Sequence, residues 1–123
     1  MPSHKSNKFG TKCEYRAADE YQLELSRSSW HDARMQNEKP VEIKSTRLEH
    51  SDGQPGNFKV YEEYHRKLRR HDGYYVFVVY KPSPFKILKM KRKHSSRLPR
   101  LSWHGGGSHR GTRQAKVAIS DVF

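Results

Sequence analysis

In the stretch HDARMQNEKPVEIKST, residues 31 to 46, two carboxylates and one ammonium are spaced so that they could do chemistry together. Asp32 precedes a short polar connector containing Pro40, and Glu42-Ile43-Lys44 follows inside an apolar-flanked run. Residues two apart in a β-strand share a face, so Glu42 and Lys44 project the same way with Cα atoms ~6.6 Å apart. A hairpin through residues 36 to 39 would bring Asp32 alongside Glu42. Two carboxylates meeting in a semi-buried place repel and need a cation between them. Oxygen ligands favour Mg²⁺ or Mn²⁺. Beside such an ion Lys44 would orient or help deprotonate a water and stabilise charge on a phosphate. That combination suits phosphodiester hydrolysis. Plainer roles exist for each residue: Glu42 and Lys44 as an edge-strand ion pair, and Asp32 as a turn residue. A single metal and phosphate site accounts for them jointly.

The elements that must position these groups follow from pattern. Thr11-Lys12-Cys13-Glu14 fits a capping box, and a helix over 11–25 puts Glu14, Ala17, Ala18, Tyr21 and Leu25 on one face. Glu14 is then either the capping glutamate or an acidic group facing inward. Residues 30–36 fit a short strand, turning at Asn37-Glu38-Lys39 into a second strand over 40–46, where Val41 and Ile43 alternate with Glu42 and Lys44. HSDGQPGN, 50–57, reads as a loop. A second helix is expected over 58–71, with Phe58, Tyr61, Tyr64, His65 and Leu68 inward and Lys59, Glu62, Glu63, Arg66, Arg69 and Arg70 outward; Asp72-Gly73 closes it. YYVFVVY, 74–80, lacks polar alternation and predicts a strand covered on both faces. FKILKMKRK predicts a further strand. The order is α-β-β-α-β-β, an α/β domain with a small mixed central sheet flanked by helices over 1–94. Residues 95–123 read as a basic, Gly-containing flexible tail whose KVAIS predicts a short terminal strand.

Asp32 followed by Glu42-Ile43-Lys44 resembles the PD-(D/E)XK nuclease signature. Gly10-Thr11-Lys12-Cys13-Glu14 is similar to the opening helix of the archaeal Holliday-junction resolvase branch. The resemblance covers residues 9 to 80, with His31 where the signature has proline. It implies a restriction-endonuclease-like core and a metal-dependent endonuclease acting on duplex or branched DNA. Asp32, Glu42, the Ile43 carbonyl and Glu14 would be metal ligands, and Lys44 the catalytic lysine. It also implies a homodimer and no small-molecule organic cofactor.

Charge distribution supports a polyanionic partner. The chain of 123 residues carries a net +12, with 33% apolar residues and a mean hydropathy of -1.10. Residues 1 to 80 hold 14 basic and 12 acidic side chains, whereas residues 81 to 123 hold 11 basic side chains and one acidic, Asp121. Lys89, Lys91, Arg92, Lys93, Arg97 and Arg100, joined by Lys12, would neutralise phosphates, while Trp103, Arg110 and Arg113 would stack on or clamp unpaired bases. A non-catalytic DNA- or RNA-binding protein with structural carboxylates is the alternative. No run approaches the ~18 apolar residues of a spanning helix, so no membrane partner is expected. The lone Cys13 excludes an intrachain disulfide and argues against a thiolate zinc site. The N-terminus shows no signal-like apolar stretch, which sets the expectation of an intracellular protein, cytoplasmic or nucleoid-associated. His104 and His109 flank a triple glycine without a third ligand placed nearby, and read as solvated.

Overall fold

The computed structural model describes residues 4–26, 31–105 and 112–123. A long helix α1 (His4–Tyr21) leads into β1 (Glu24–Leu25), β2 (Ala33–Arg34) and β3 (Pro40–Arg47). Then come β4 (Asn57–Tyr61), α2 (Glu62–Arg70), β5 (Tyr74–Pro82), β6 (Phe85–His94), a 3₁₀ turn (Ser95–Arg97), β7 (His104–Gly105), β8 (Arg113–Ala118) and a last turn of helix, α3 (Ile119–Val122). The main sheet has the order β1-β2-β3-β5-β6, and a second sheet has the order β4-β8-β7. In the main sheet β3 and β5 are parallel and the other pairings antiparallel, so the sheet is mixed as expected.

Period-2 alternation divides the two apolar cores between the two faces of this sheet. Val41, Ile43, Val76, Val78 and Tyr80 point to one face and pack with Cys13, Ala17 and Leu23. Tyr75, Phe77 and Val79 point to the other and pack with Phe58, Val60, Leu68, Val117 and Val122. One core therefore lies under α1, and the other lies under α2 and the second sheet. The YYVFVVY strand is covered on both sides, which explains its missing polar alternation.

Three expectations change. Helix α1 begins at His4, so Thr11 to Glu14 is helix interior and not a capping box. Its buried stripe runs through Cys13 and Ala17, with Phe9, Ala18 and Tyr21 packed beside them. Glu14 sits one position off that stripe. The helix also stops at Tyr21, where Gln22 takes φ 55 and Leu23 N–H donates to Ala18 O at 2.9 Å, a Schellman-type stop. Leu25 consequently joins a strand.

Secondly, the segment expected as one helix over 58–71 splits. Phe58 and Val60 alternate as buried strand residues because β8 pairs with them, Phe58 opposite Val117 and Val60 opposite Ala115. Helix α2 starts only at Glu62. Asp72, at φ 58, and Gly73 do close it. Gly73 is needed there, since a Cβ would stand 2.6 Å from Leu68 Cδ2 and 2.9 Å from Pro40 O. Asp72 also accepts from Lys39 and His94, tying the start of β3 to the ends of α2 and β6.

Thirdly, among the described residues the C-terminal segment is part of the domain. The expected terminal strand is β8, and its Ala115 and Val117, with Val122, are buried. The glycine-rich stretch 106–111, with His109 and Arg110, lies outside the described residues, as does Trp30.

Candidate active site

The hairpin expected through residues 36–39 forms as Met35 N–H donates to Lys39 O, Glu38 takes φ 70, and Lys39 N–H donates to Asn37 Oδ1. It sets Ala33 opposite Val41. Asp32, just before β2, binds strand β3 twice: its N–H donates to Val41 O, and its Oδ2 accepts from Ile43 N–H at 2.8 Å. That carboxylate is thereby held beside Glu42.

Glu42 and Lys44 share the sheet face that carries Tyr75 and Phe77, with Glu42 in register with Tyr75. Lys44 Nζ lies 3.3 Å from Glu42 Oε2, and the two side chains are only 16% and 11% exposed. The Lys44 ammonium also lies 4.9 Å from the Tyr61 ring centroid. Burial pushes the Glu42 carboxyl well above its ordinary value; Lys44 opposes that rise, and the hydrogen bond and charge of Asp32 add to it. Two carboxylates and an ammonium thus meet in a partly dry place, as the alternation of VEIKS predicted.

Other expected site residues lie elsewhere. Glu14 is carried by α1, whose neighbours Cys13 and Ala17 pack on the opposite sheet face with Val41 and Ile43. Among the described residues no group of three His, Cys, Asp or Glu side chains is arranged to hold a metal ion, so Glu14 does not complete a cluster with Asp32 and Glu42. Ile43 stays at the site, its N–H donating to Asp32 Oδ2. Lys12 lies over the Phe85 ring at 5.0 Å and Lys89 over Phe123 at 5.7 Å. Lys91, Arg92, Lys93 and Arg97 do come together, lining a surface cavity of about 530 Å³ with Tyr74 and His94. Arg100 is exposed.

A family model described as a PD-(D/E)XK nuclease superfamily domain matches residues 1–123. The chain belongs to that superfamily. No curated protein and no solved structure matches it. The mixed α/β sheet agrees with the restriction-endonuclease-like core of the PD-(D/E)XK superfamily, and membership makes nucleic acid the substrate expected of the domain. The match reaches the superfamily level and does not single out the resolvase branch. No helix among the described residues is long and apolar enough to cross a membrane.

PD-(D/E)XK nucleases usually use divalent metals, and the donor set here fits one. Asp32 and Glu42 offer oxygen ligands in contact, and the Glu42 carboxyl, raised first by burial and then by Asp32, is a group whose ionised form a bound cation would favour. A small hard cation held by two carboxylates keeps its remaining positions for water and phosphate.

Two features were not legible in the sequence. The phenols of Tyr61 and Tyr75 are raised by burial first, then at Tyr61 by Tyr64, and at both by the Glu42 charge. Glu62, expected outward, is buried and held by Arg113 through contacts of 2.7 Å and 2.7 Å, and by Arg66 at 2.9 Å. Only the pairing of β4 with β8 brings Arg113 to Glu62, so no local pattern signals it.

Proposed function

We propose that the protein is a metal-dependent DNA endonuclease in which Asp32 and Glu42 hold Mg²⁺ or Mn²⁺ and Lys44 is the catalytic lysine. The observation that carries this reading is the meeting of Asp32, Glu42 and Lys44 at one buried carboxyl, from two strands joined by a hairpin. A divalent ion held by the carboxylate pair supplies Lewis-acid stabilisation of charge on the phosphoryl oxygens. Lys44, held close to Glu42 and the Tyr61 ring, orients the attacking water and neutralises charge that builds on the phosphate. The water oxygen bonds to phosphorus as a bridging P–O bond breaks, and the displaced proton ends on the leaving oxygen. The Ile43 carbonyl remains a candidate further ligand in this reading, and Glu14 takes no part. The basic groups of β6 grip the DNA backbone.

The test is incubation with four-way junction, duplex and single-stranded DNA in Mg²⁺, Mn²⁺ or EDTA, beside Glu42→Ala. Metal-dependent cuts lost in Glu42→Ala are expected, and the substrate ranking reads any preference for branched DNA. Sedimentation of the same sample reads whether the protein forms the homodimer that the resemblance implies. Tight DNA binding without cuts on any substrate would reassign the protein as a non-catalytic nucleic-acid-binding protein.

A further inference from the structure

A cavity of about 460 Å³ is lined by His65, Arg66, Arg69, Arg70 and Trp103, none of them a β6 residue. Its volume falls in the range of small-ligand sites. Three guanidiniums within five residues of one helix repel each other, and only Arg66 is neutralised, by Glu62. Among the described residues, Arg69 and Arg70 have no carboxylate within ion-pair distance. Fixed positive charge beside an indole is the combination that binds a phosphate and stacks a base.

The sequence groups Trp103 with Arg113, but Arg113 is committed to Glu62 on both its Nε and Nη2. The arginines of α2 are exposed as expected, and they line the cavity that Trp103 closes. His65 shapes the floor: its ring lies 5.9 Å from that of Trp103, and its Nδ1 is taken by the Tyr75 hydroxyl at 2.9 Å. Only Nε2 is left to meet a ligand. Tyr75 is the register partner of Glu42, so two side chains separate this cavity from the carboxylate pair.

We propose that this cavity is a single-strand subsite, in which an unpaired base stacks on Trp103 while the flanking phosphates sit on Arg69 and Arg70. In a duplex each base face is already covered by its neighbours, so only an unpaired nucleotide can offer one to the indole. The proposal deepens the nuclease reading and rests on nucleic acid being the substrate; it makes an unpaired segment part of what the protein recognises.

The test is fluorescence anisotropy of the full chain with an oligothymidylate of about eight nucleotides and with a blunt duplex, in EDTA so that no cleavage intervenes. Trp103→Ala should weaken oligothymidylate binding about 10-fold at unchanged salt slope, and Trp103→Phe should restore most of it. The double variant Arg69→Ala, Arg70→Ala should lower the salt slope by about 1.4, or 0.7 per phosphate contact. Duplex binding should change less than about two-fold for the Trp103 variants. Far-UV circular dichroism and a thermal melt check that each variant folds. Wild-type oligothymidylate binding by folded Trp103→Ala would overturn the subsite, as would an equal loss on duplex. Absence of metal-dependent cuts with Trp103-dependent binding intact would instead sink the catalytic reading alone.

Discussion

Lys44 Nζ lies 3.3 Å from Glu42 Oε2, and neither side chain is more than 16% exposed. An ammonium held that way, and also 4.9 Å from the Tyr61 ring centroid, is a positioned charge rather than a mobile surface one. Lys44→Ala should therefore lower cleavage by about 10²–10⁴-fold while leaving DNA affinity in EDTA nearly intact, because the proposed phosphate contacts lie on other basic residues. Parallel cleavage and binding assays check this. A loss of binding as large as the loss of cleavage would make Lys44 a phosphate contact only.

Metal should stabilise the fold through the same pair. A ligand at a hundred times its Kd adds about 2.7 kcal/mol to the native state, which in a domain of this size raises Tm by several degrees. Mg²⁺ or Mn²⁺ should raise the wild-type melting temperature and leave Asp32→Ala and Glu42→Ala where they are. Differential scanning fluorimetry with and without EDTA reads it directly. An equal rise in all three proteins would place the ion elsewhere.

His65 makes stability depend on pH. Burial, then the nearby Arg69 charge, lowers its pKa from 6.5 to about 4. Below 6.5 the unfolded chain takes up a proton that the folded chain refuses. Stability from this group is thus fully present above 6.5 and is lost as pH falls toward 4, at up to ~1.4 kcal/mol per pH unit. Urea unfolding at pH ~7.5 and ~5 should show a steeper loss in wild type than in His65→Gln. Equal slopes would mean that His65 titrates normally in the fold.

Arg113 should behave as a structural residue. Its guanidinium holds Glu62 below its ordinary carboxylate pKa, chiefly through their hydrogen bonds. Arg113→Ala should lower the melting temperature without changing the salt slope of DNA binding. Replacing Lys91, Arg92 and Lys93 with alanine should do the opposite, lowering the slope by about 0.9 for each duplex phosphate no longer neutralised. A slope change in Arg113→Ala would restore it to the DNA surface.

Gly73→Ala should destabilise by about 1–3 kcal/mol, since the new methyl meets Leu68 Cδ2 at 2.6 Å and Pro40 O at 2.9 Å. The carbonyl cannot turn aside as a flexible side chain would. Chemical denaturation checks the size, and a neutral effect would mean that the α2–β5 corner yields easily.

What the sequence determined by itself was local. Alternation in VEIKS put Glu42 and Lys44 on one face, Asn37-Glu38-Lys39 turned the hairpin that returns Asp32 to them, and the unbroken apolar run of β5 announced a strand covered twice. These depend on periods of two and on turn chemistry, which act within a few residues. Tertiary structure decided the rest. Phe58 and Val60 fit helix or strand equally well until β8, more than fifty residues later, paired with them. The helical period put Glu14 on the stripe of Ala17 and Ala18, and only the packing of α1 showed that the stripe runs through Cys13 and Ala17 instead. Arg69, Arg70 and Trp103 share a cavity, and Arg113 holds Glu62, because the returning C-terminal segment packs on α2. Partners that distant leave no periodic trace in the sequence, since a side chain's neighbour across a core is set by chain topology and not by spacing along the chain.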